Sequence, residues 1–358
     1  MKKILFVSAF HPGANGKIGA GEAICGDSLR RFVEQGYQVD VVVNSPTSQC
    51  ENEELTKLCN SYNVIAADKI SYFTSIISNI EKMSFLAPWF YTRVSGKLIS
   101  IVNGMLEKNE YDIVWLDFPS VLGLANHIKH KNIHYFAHDV VFQRIARTHL
   151  KKMIFPFVRA HETRLFSKVH AIVAMSEKDK QLIRETNFQG DISVVELGKQ
   201  RVGQVFNNTA IEDVVKLFEN KNNLVFFGNM QRSENHWSIV WFILFVFPQI
   251  IKKKKDVHLW VLGLAPRMTL RLLGAFRKNI HVVGPVSDPT LAFQKAELNI
   301  APLLYGAGVK IKVLQILDAG ANVVATPVGA EGVKNCDKLY VVDKKEFGSK
   351  ILELLDAK

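Results

Sequence analysis

The sequence predicts an α/β fold of two tandem, doubly wound Rossmann-like domains, each built on a parallel sheet between layers of helices. Two observations lead to this prediction. Short, almost continuously apolar runs, typical of strands buried on both faces, alternate with helical stretches. The alternation stops in a polar, irregular segment after residue 198 and restarts near residue 223. A chain of 358 residues is also long enough for two hydrophobic cores.

The first half begins with the strand KILFVSAF (3–10), a glycine-rich loop (13–21) and the helix SLRRFVEQG (28–36). Glycine at the end of that helix is a common terminator. Further strands are predicted at 38–45, 112–118, 133–139, 170–176 and 191–198.

The second half repeats this pattern. A helix is predicted from about residue 235 to 251 and another from about 309 to 319. Strands are predicted at 223–229, 257–263, 280–286, 298–303 and 322–328. We therefore expect a first domain at 1–198, a second at 199–340, and a C-terminal helix at 341–358 that packs back on the first domain. Two such sheets facing each other would form a cleft, because open parallel sheets bind ligands beyond the carboxyl ends of their strands.

Composition and net charge indicate the class of protein and the kind of partner that it binds. Hydrophobic residues make up 48% and charged residues 22%, which is a globular composition. The formal net charge of +11 favours an anionic partner such as a phosphorylated substrate or acidic lipid, although a solvated basic surface would have the same composition. We expect no nucleic-acid partner, because no recognised nucleic-acid motif occurs and the basic residues are dispersed.

The four cysteines, at 25, 50, 59 and 336, form no CxxC pair, which indicates reduced thiols and a cytoplasmic protein. The N-terminal apolar run is short and leads into a turn, so it is interpreted as a strand and not as a signal peptide. No apolar run is long enough to cross a membrane. No group of side chains has the spacing of metal ligands, so no metal is expected.

The segment YGAGVKIKVLQILDAGANVVATPVGAEGV (305–333) is the most informative part of the chain. Gly306 and Gly308 allow close approach of a ligand to the backbone, and the following helix presents free N–H groups and a positive dipole end. Such an end suits a phosphate, and Lys310 and Lys312 add positive charge. An ordinary strand–turn–helix without a ligand would have the same pattern.

Other strand ends offer polar groups. His138 and the loop GNMQRSEN (228–235), with Asn229 and Arg232, are expected at the carboxyl ends of strands, where a ligand would lie. An arginine there can bind a diphosphate with two hydrogen bonds. The alternatives are a structural histidine and a solvated loop arginine. The first glycine-rich loop has neither the dinucleotide-binding nor the Walker spacing.

Several segments resemble a known family in the same order. The second half carries FFGNMQRSENHWSIVWF, LWVLG, VVGPVSD, LNIAPLLYGAGVKIKVLQ and AGANVVATPVGAEG, and the first half carries GAGEA, FAHDVVFQRIAR and AIVAMSEKDKQLI. These segments resemble glycosyltransferase family 4, which has the GT-B fold, and in particular its bacterial polysaccharide and lipopolysaccharide members. The resemblance implies a retaining transferase that uses a nucleoside diphosphate sugar as co-substrate and needs no other cofactor.

The resemblance also implies roles for individual residues. The catalytic set would be His138, which approaches the donor sugar, and Arg232 and Lys312, which face its phosphates. The donor site would contain Gly19, Gly21, Asn229, Gly306, Ala307, Gly308, Val309, Lys310, Gln315 and Glu331. Asp139 and Arg144 would contact the acceptor, a glycan or lipid-linked hydroxyl.

Three positions depart from the family. The family usually has two glutamates in an E-x7-E motif. Ala307 stands in place of the first, and Gln315 stands in place of the second, which holds the ribose hydroxyls. A neutral glutamine in place of the carboxylate weakens donor binding by about tenfold. Asn322 replaces a proline in a turn and is not expected to change the site.

The resemblance implies a front-face reaction. The donor diphosphate leaves, stabilised by the basic residues and the helix N-terminus, and the leaving phosphate oxygen accepts the acceptor proton. The stretches 85–97 and 148–168 mix aromatic and basic residues and could dock on an anionic membrane surface, although ordinary amphipathic helices would have the same composition. Two alternatives stay open: a catalytically impaired GT-B protein that assists an active transferase, and, with fewer matching features, a sugar-nucleotide epimerase.

Overall fold

The computed structural model of the protein describes residues 2–13, 20–45, 53–80, 85–146, 153–195, 211–218, 222–286, 288–306 and 308–357. The chain divides into two compact units, Met1–Gly198 and Lys199–Lys358. Each unit is an α/β domain with its own parallel sheet, as the alternation of apolar strands and helices predicts.

The first domain contains a parallel sheet whose central strands are almost entirely buried. Its seven described strands are β1 (Lys3–Ser8), β2 (Gln38–Ser45), β3 (Ser61–Ala66), β4 (Ile113–Asp117), β5 (Ile133–Ala137), β6 (Ala171–Ala174) and β7 (Asp191–Val194). Their order in the sheet is β3-β2-β1-β4-β5-β6-β7. Strand order therefore reverses between β1 and β4, which opens a crevice at their carboxyl ends.

Helices connect these strands, and several begin at side chains that cap them. Asp68, Ser95 and Ser176 each accept a hydrogen bond from a backbone N–H in the first turn of the helix that follows. The helices are α1 (Ala20–Glu34), α2 (Glu53–Leu58), α3 (Lys69–Ser78), α4 (Gly96–Lys108), α5 (Pro119–Leu122), α6 (Val141–Ala146), α7 (Phe155–Phe166) and α8 (Glu177–Arg184), with 3₁₀ turns at Pro88–Phe90 and Gly123–Asn126.

The second domain contains a parallel sheet with six described strands. They are β8 (Asn222–Phe227), β9 (Val257–Leu262), β10 (Ile280–Gly284), β11 (Leu298–Ala301), β12 (Val323–Ala325) and β13 (Leu339–Val341). Their order, β10-β9-β8-β11-β12-β13, repeats the topology of the first sheet. Strand order reverses between β8 and β11, so this sheet also has a crevice beyond their carboxyl ends.

The helix predicted over 235–251 is interrupted in the structure. A π-helical turn, Phe242–Val246, separates its two halves. Pro248 lies in the first turn of the second half, where its missing N–H costs no hydrogen bond within that half. The helices of this domain are α9 (Ile211–Lys216), α10 (Ser233–Trp241), α11 (Phe247–Lys253), α12 (Met268–Ala275), α13 (Thr290–Lys295), α14 (Ile311–Asp318) and α15 (Phe347–Asp356).

The C-terminal helix α15 packs on the second domain, whereas the sequence led us to expect packing on the first. Its apolar face is part of the core formed by β8, α10 and α11. Phe347 lies edge-to-face against Phe242 at 6.0 Å between ring centroids. The Lys254 ammonium donates to the Leu355 carbonyl at 3.0 Å and pairs with Asp356.

The aromatic and basic stretch 85–97 is buried at its centre and exposed at its ends. Phe90 and Tyr91 are fully buried and Arg93 is only 5% exposed, whereas Phe85 is 59% exposed. In the stretch 148–168, Met153 and Phe157 are exposed. Among the described helices, none has the length and apolar character needed to cross a membrane.

A buried carboxyl group holds the turn that follows β5. Glu162, on α7, is fully buried and accepts the backbone N–H groups of Val141 at 3.0 Å and Phe142 at 2.8 Å. These N–H groups begin α6 and have no partner within that helix. Burial raises the pKa of Glu162 to about 8, against the lowering effect of the two N–H groups. The side chain therefore fixes the segment directly after His138.

We expect this carboxyl group to make stability depend on pH. Its folded-state pKa lies above the unfolded value, so its contribution is complete below about pH 4.5 and is lost as pH rises towards 8. The free energy of unfolding of the wild type relative to Glu162→Gln should therefore fall between pH 5 and 8, by at most about 1.4 kcal/mol per pH unit. Chemical denaturation at a series of pH values measures this difference.

Glu107→Gln is the matched control, because Glu107 is exposed on α4. Its difference from the wild type should be the same at every pH. A constant difference for Glu162→Gln as well would show that this carboxyl group does not take up a proton in the folded state.

Candidate functional site

The turn before α14 has the backbone conformation that its glycines predict. Gly306 and Gly308 have φ values of 127° and 79°, in the region that L side chains rarely adopt. The helix begins at Ile311 and ends at Asp318, slightly inside the predicted 309–319. Gly320, at φ 74°, ends it in the left-handed conformation. The turn therefore leads into a helix N-terminus beside the crevice between β8 and β11.

Lys310 braces this turn from inside. Its ammonium donates to the Gly308 carbonyl at 2.7 Å and lies 3.6 Å from the Glu331 carboxylate. Both side chains are more than nine-tenths buried. The Lys310 backbone N–H also donates to the Glu331 carbonyl at 3.2 Å. Three predicted donor-site residues thus come together, and Glu331 balances the charge of Lys310.

Lys312 lies at the point where the strand order reverses. Its ammonium donates to Asn235 Oδ1 at 2.6 Å and lies 4.7 Å from the centre of the Phe226 ring. A Cβ at Gly228 would lie 3.0 Å from this nitrogen, so glycine leaves room for it. Although the residue keeps some solvent exposure, enclosure by protein atoms, followed by Lys310, lowers the pKa of Lys312 to about 7.

The loop after β8 is held in place by backbone contacts. Asn235 Nδ2 donates to the Asn229 carbonyl at 2.8 Å, and Asn229 Oδ1 accepts the Gln231 N–H at 2.9 Å. Arg267 donates to two carbonyl groups of the same loop. The predicted residue Arg232 is 58% exposed, and its guanidinium lies 4.0 Å from Glu234. Arg232 is thus free to turn towards a ligand, whereas Asn229 shapes the loop.

The loops after β8 and β11 are joined by hydrogen bonds. The Tyr305 hydroxyl donates to the Ser233 carbonyl at 2.8 Å, and the Leu304 N–H donates to Ser238 Oγ at 3.0 Å. These bonds place the start of α10 beside the turn that precedes α14. Two helix N-termini therefore lie at one crevice, which concentrates positive electrostatic potential there.

Gln315 lies one helical turn after Lys312, so both side chains are on the same side of α14. It is partly exposed, and its side-chain amide makes no hydrogen bond to any described residue. Val309 packs against Gly332, where a Cβ would be 2.7 Å from Val309 Cγ2. Gly19 and Ala307 lie outside the described residues.

In the first domain, His138 follows β5 directly and contacts a buried carboxylate. Its Nε2 lies 2.6 Å from Asp117 Oδ1, and Asp117 is fully buried at the end of β4. Trp115 Nε1 donates to the other carboxylate oxygen at 2.9 Å. The His138 ring stacks on Phe118 with 4.0 Å between centroids. A Cβ at Gly21, on α1, would be 3.5 Å from His138 Nδ1.

These contacts determine the hydrogen-bonding role of His138. An ionised carboxylate only accepts hydrogen bonds, so Nε2 of His138 donates to Asp117. In the neutral ring Nδ1 then carries no proton and accepts. With Nε2 donating to Asp117, only the protonated ring has a proton on Nδ1 to donate.

Asp139 and Arg144 pair with each other. Arg144 Nη1 donates to Asp139 Oδ2 at 2.7 Å, across the N-terminal turn of α6. The arginine is 42% exposed and the aspartate 16% exposed at the side chain. The structure brings both residues to the same edge of the sheet as His138.

Sequence reasoning missed three residues that position this machinery: Asp117, Asn235 and Glu162. Asp117 ends a strand, which is a signal that was present in the sequence, but its partner His138 is on a neighbouring strand. Asn235 lies in the quoted loop GNMQRSEN, and its contact with Lys312 joins residues 77 apart in sequence. In the described residues, no cluster of histidine, cysteine, aspartate or glutamate could hold a metal ion.

Comparison with protein families gives a match in the second domain. Residues 221–357 match the model of the family described as Glycosyl transferases group 1. An uncharacterised 44.6 kDa protein in the cps region of Klebsiella pneumoniae is 30% identical over 117 residues. The match covers 31% of this chain and 30% of that protein, so the chain matches less than a third of the relative's length.

Solved structures match over the whole chain. Sucrose-phosphate synthase of Thermosynechococcus elongatus has a TM-score of 0.70 at 11% identity, with 100% of this chain and 90% of that chain covered. Alr3699/HepE of Anabaena in complex with UDP-glucose has a TM-score of 0.65 at 15% identity, with the same coverage. At these identities the likeness is one of fold, and it confirms the predicted two-domain α/β architecture. Residues 221–357 are therefore similar to the group 1 glycosyl transferases, and the whole chain shares the two-domain α/β fold of these solved structures.

Proposed function

We propose that the protein is a retaining, metal-independent glycosyltransferase. It moves a sugar from a nucleoside diphosphate sugar to a hydroxyl of a glycan or lipid-linked acceptor in bacterial surface polysaccharide synthesis. The observation that carries this proposal is the Lys312 ammonium held beside the glycine-rich turn at the crevice between β8 and β11. The cps-region relative supports polysaccharide synthesis, and the fold neighbour solved with UDP-glucose supports a nucleotide-sugar donor.

The diphosphate would bind at the start of α14. The backbone N–H groups of the turn and helix, the Lys312 ammonium and the exposed Arg232 guanidinium would surround its oxygens. When the bond to the sugar breaks, negative charge develops on the leaving phosphate oxygen. Cations and N–H groups already in place stabilise that charge without a metal ion.

His138 would position the donor sugar. With Nε2 bound to Asp117, the neutral ring offers Nδ1 as an acceptor for a sugar hydroxyl. The leaving phosphate oxygen then accepts the proton of the incoming acceptor hydroxyl, so His138 is not required as the base. Asp139 and Arg144, on the same edge, would contact the acceptor.

The protein is proposed to act in the cytoplasm, at the inner face of the membrane where the acceptor is lipid-linked. The exposed Met153 and Phe157 of α7 and the segment before it support this proposal, together with the net charge of +11. The buried residues of 85–97 do not contribute to such a surface.

A second candidate is a catalytically impaired GT-B protein that assists an active transferase. Gln315 and Ala307 favour it, because both replace carboxylates of the family motif. Hydrolysis of the donor and formation of a glycosylated product separate the two candidates: only the first predicts turnover.

Nucleotide binding by calorimetry tests the proposed donor site. UDP, GDP, CMP, dTDP and their common sugar conjugates are titrated into wild-type protein and Lys312→Met. We expect one nucleotide to bind. Lys312→Met should weaken the affinity for that nucleotide by about 10- to 100-fold, since a hydrogen bond to a charged group is lost. Because the pKa of Lys312 is about 7, affinity for the sugar conjugate should fall above pH 7, by at most about tenfold per pH unit.

Lys312→Arg stays charged at every pH used, so its affinity should not fall in this range. Lys278→Met is the matched control, because Lys278 is exposed on the same domain. The sugar conjugate is chosen for the pH series since it has no terminal phosphate that titrates near pH 6. If no nucleotide binds, the proposed function is wrong.

Gln315→Glu tests the ribose contact. A carboxylate accepts two hydroxyl hydrogens, so we expect nucleotide affinity to rise by up to about tenfold. Pyrophosphate has no ribose, and its affinity should not rise. Equal affinities for the nucleotide in both proteins would remove Gln315 from the ribose site.

Asp117→Asn tests the orientation of His138. The new amide would donate to Nε2, move the ring proton to Nδ1 and remove the acceptor for the sugar hydroxyl. We expect turnover to fall by about 10- to 100-fold, with ¹⁵N chemical shifts of His138 reporting the tautomer change. Trp115→Phe removes the other hydrogen bond to Asp117 and should leave the tautomer unchanged. An unchanged tautomer in Asp117→Asn contradicts this role.

A further inference from the structure

A second buried cation lies at the carboxyl edge of the first sheet. Arg93 follows the 3₁₀ turn Pro88–Phe90 and is 5% exposed. Its guanidinium carbon is 4.3 Å from the centre of the Tyr72 ring and 5.1 Å from that of Phe10. Phe10 lies edge-to-face against Phe118 at 4.9 Å, and Phe118 stacks on His138. Consecutive contacts through Phe10 and Phe118 therefore connect Arg93 to His138, the residue predicted to face the donor sugar.

The side chain of Arg93 has no anionic partner among the described residues. Its Nη1 nitrogen is buried and makes no hydrogen bond, and no carboxylate of the described chain forms an ion pair with the guanidinium. The two rings contact the guanidinium, but a ring face accepts no N–H hydrogen bond of ordinary strength. The N–H groups of the buried Arg93 guanidinium are therefore available to donate to a group that is not among the described residues.

The same place in the fold has a second unpaired polar atom. Asn44, at the end of β2, is 1% exposed and donates through Nδ2 to the Arg93 carbonyl at 2.6 Å. Its Oδ1 is buried and has no hydrogen-bond partner in the described chain. A ligand that carries an oxyanion beside a hydroxyl group would satisfy both atoms, because Nη1 donates and Oδ1 accepts.

Burying a charge without a partner is costly, and native proteins rarely keep one unless it binds something. A guanidinium presents its N–H groups as a planar fork that matches carboxylate and phosphate oxygens. Arg93 lies near the crevice between β1 and β4, where ligands of such sheets bind. It is in the first domain, whereas Lys312 and the glycine-rich turn are in the second.

We propose that Arg93 and Asn44 form a binding site for an oxyanion of the acceptor, a phosphate ester or a sugar carboxylate, with an adjacent hydroxyl on Asn44. The acceptor role rests on the proposed function, whereas the anion site itself does not. Arg93 takes the oxyanion through its in-plane N–H groups while Phe10 and Tyr72 hold its faces. Acceptor recognition thus requires negative charge at this point.

The test measures binding of inorganic phosphate and of glucuronate by calorimetry and thermal shift, against sodium chloride of equal ionic strength. It uses full-length Lys312→Met protein as background, so that the diphosphate site does not contribute. We expect one of the two anions to bind and to raise Tm. Adding Arg93→Met should weaken the affinity for that anion at least about tenfold, because the charge-assisted hydrogen bonds of the planar guanidinium are lost.

Arg159→Met is the matched control, since Arg159 also lies over an aromatic ring, Phe142, but is exposed. It should leave anion affinity unchanged. Arg93→Lys keeps the charge and loses the planar fork, so it should bind the anion more weakly than wild type. This variant replaces Arg93→Met if the latter does not fold.

The anion that binds indicates the chemical source of the oxyanion, and the absence of Arg93-dependent binding contradicts the proposed site. Arg93-dependent binding of phosphate alone indicates a phosphate ester such as that of a lipid carrier, and binding of glucuronate alone indicates an acidic sugar. Failure of both anions to bind, or binding that Arg93→Met and Arg93→Lys leave unchanged, overturns the proposal. Nucleotide titration of the wild type is a separate test: if no nucleotide binds, the proposed function is wrong and the anion site still stands.

Discussion

The arrangement of the second domain depends on one charged hydrogen bond, from the Lys312 ammonium to Asn235 Oδ1. It joins α14 to the loop after β8 across the point where strand order reverses. The ammonium is enclosed near Lys310 and Arg232, whose positive charges disfavour its protonated form. An anion bound at this place would offset the repulsion between these positive charges, so the site is electrostatically preorganised for a diphosphate.

Lys310 and Lys312 show how two lysines of one turn are given different tasks. Lys310 is neutralised within the protein by Glu331 and holds the Gly308 carbonyl. Among the described residues, Lys312 donates to an amide oxygen and lies over the Phe226 ring, and no carboxylate pairs with it. The difference arises from position on the helix: Lys310 caps α14 and points under the turn, whereas Lys312 lies within its first turn and faces Phe226.

The first domain uses its buried charges at the ends of neighbouring strands. Asp117 orients His138, and Glu162 holds the segment that follows. Arg93 lacks such a partner in the described chain. Where a buried charge is paired, it positions another residue. Where it is not, its donors are available to a ligand, and this difference separates the positioning residues from the proposed anion site.

By itself, the sequence determined most of the fold, because periodicity and glycine placement are local properties. It predicted the strands of both sheets except β3, which is half exposed and polar, and β13, a short strand in a segment with charged residues on both sides. It also located the turn before α14 and the residues around it. The interruption of the helix over 235–251 escaped it, since Pro248 allows either a kink or a new first turn. Only the tertiary structure decided which charges are paired, because Asp117 with His138, Asn235 with Lys312 and Glu162 with the start of α6 are contacts between distant segments. Their energies depend on burial and strand order, which no local pattern encodes.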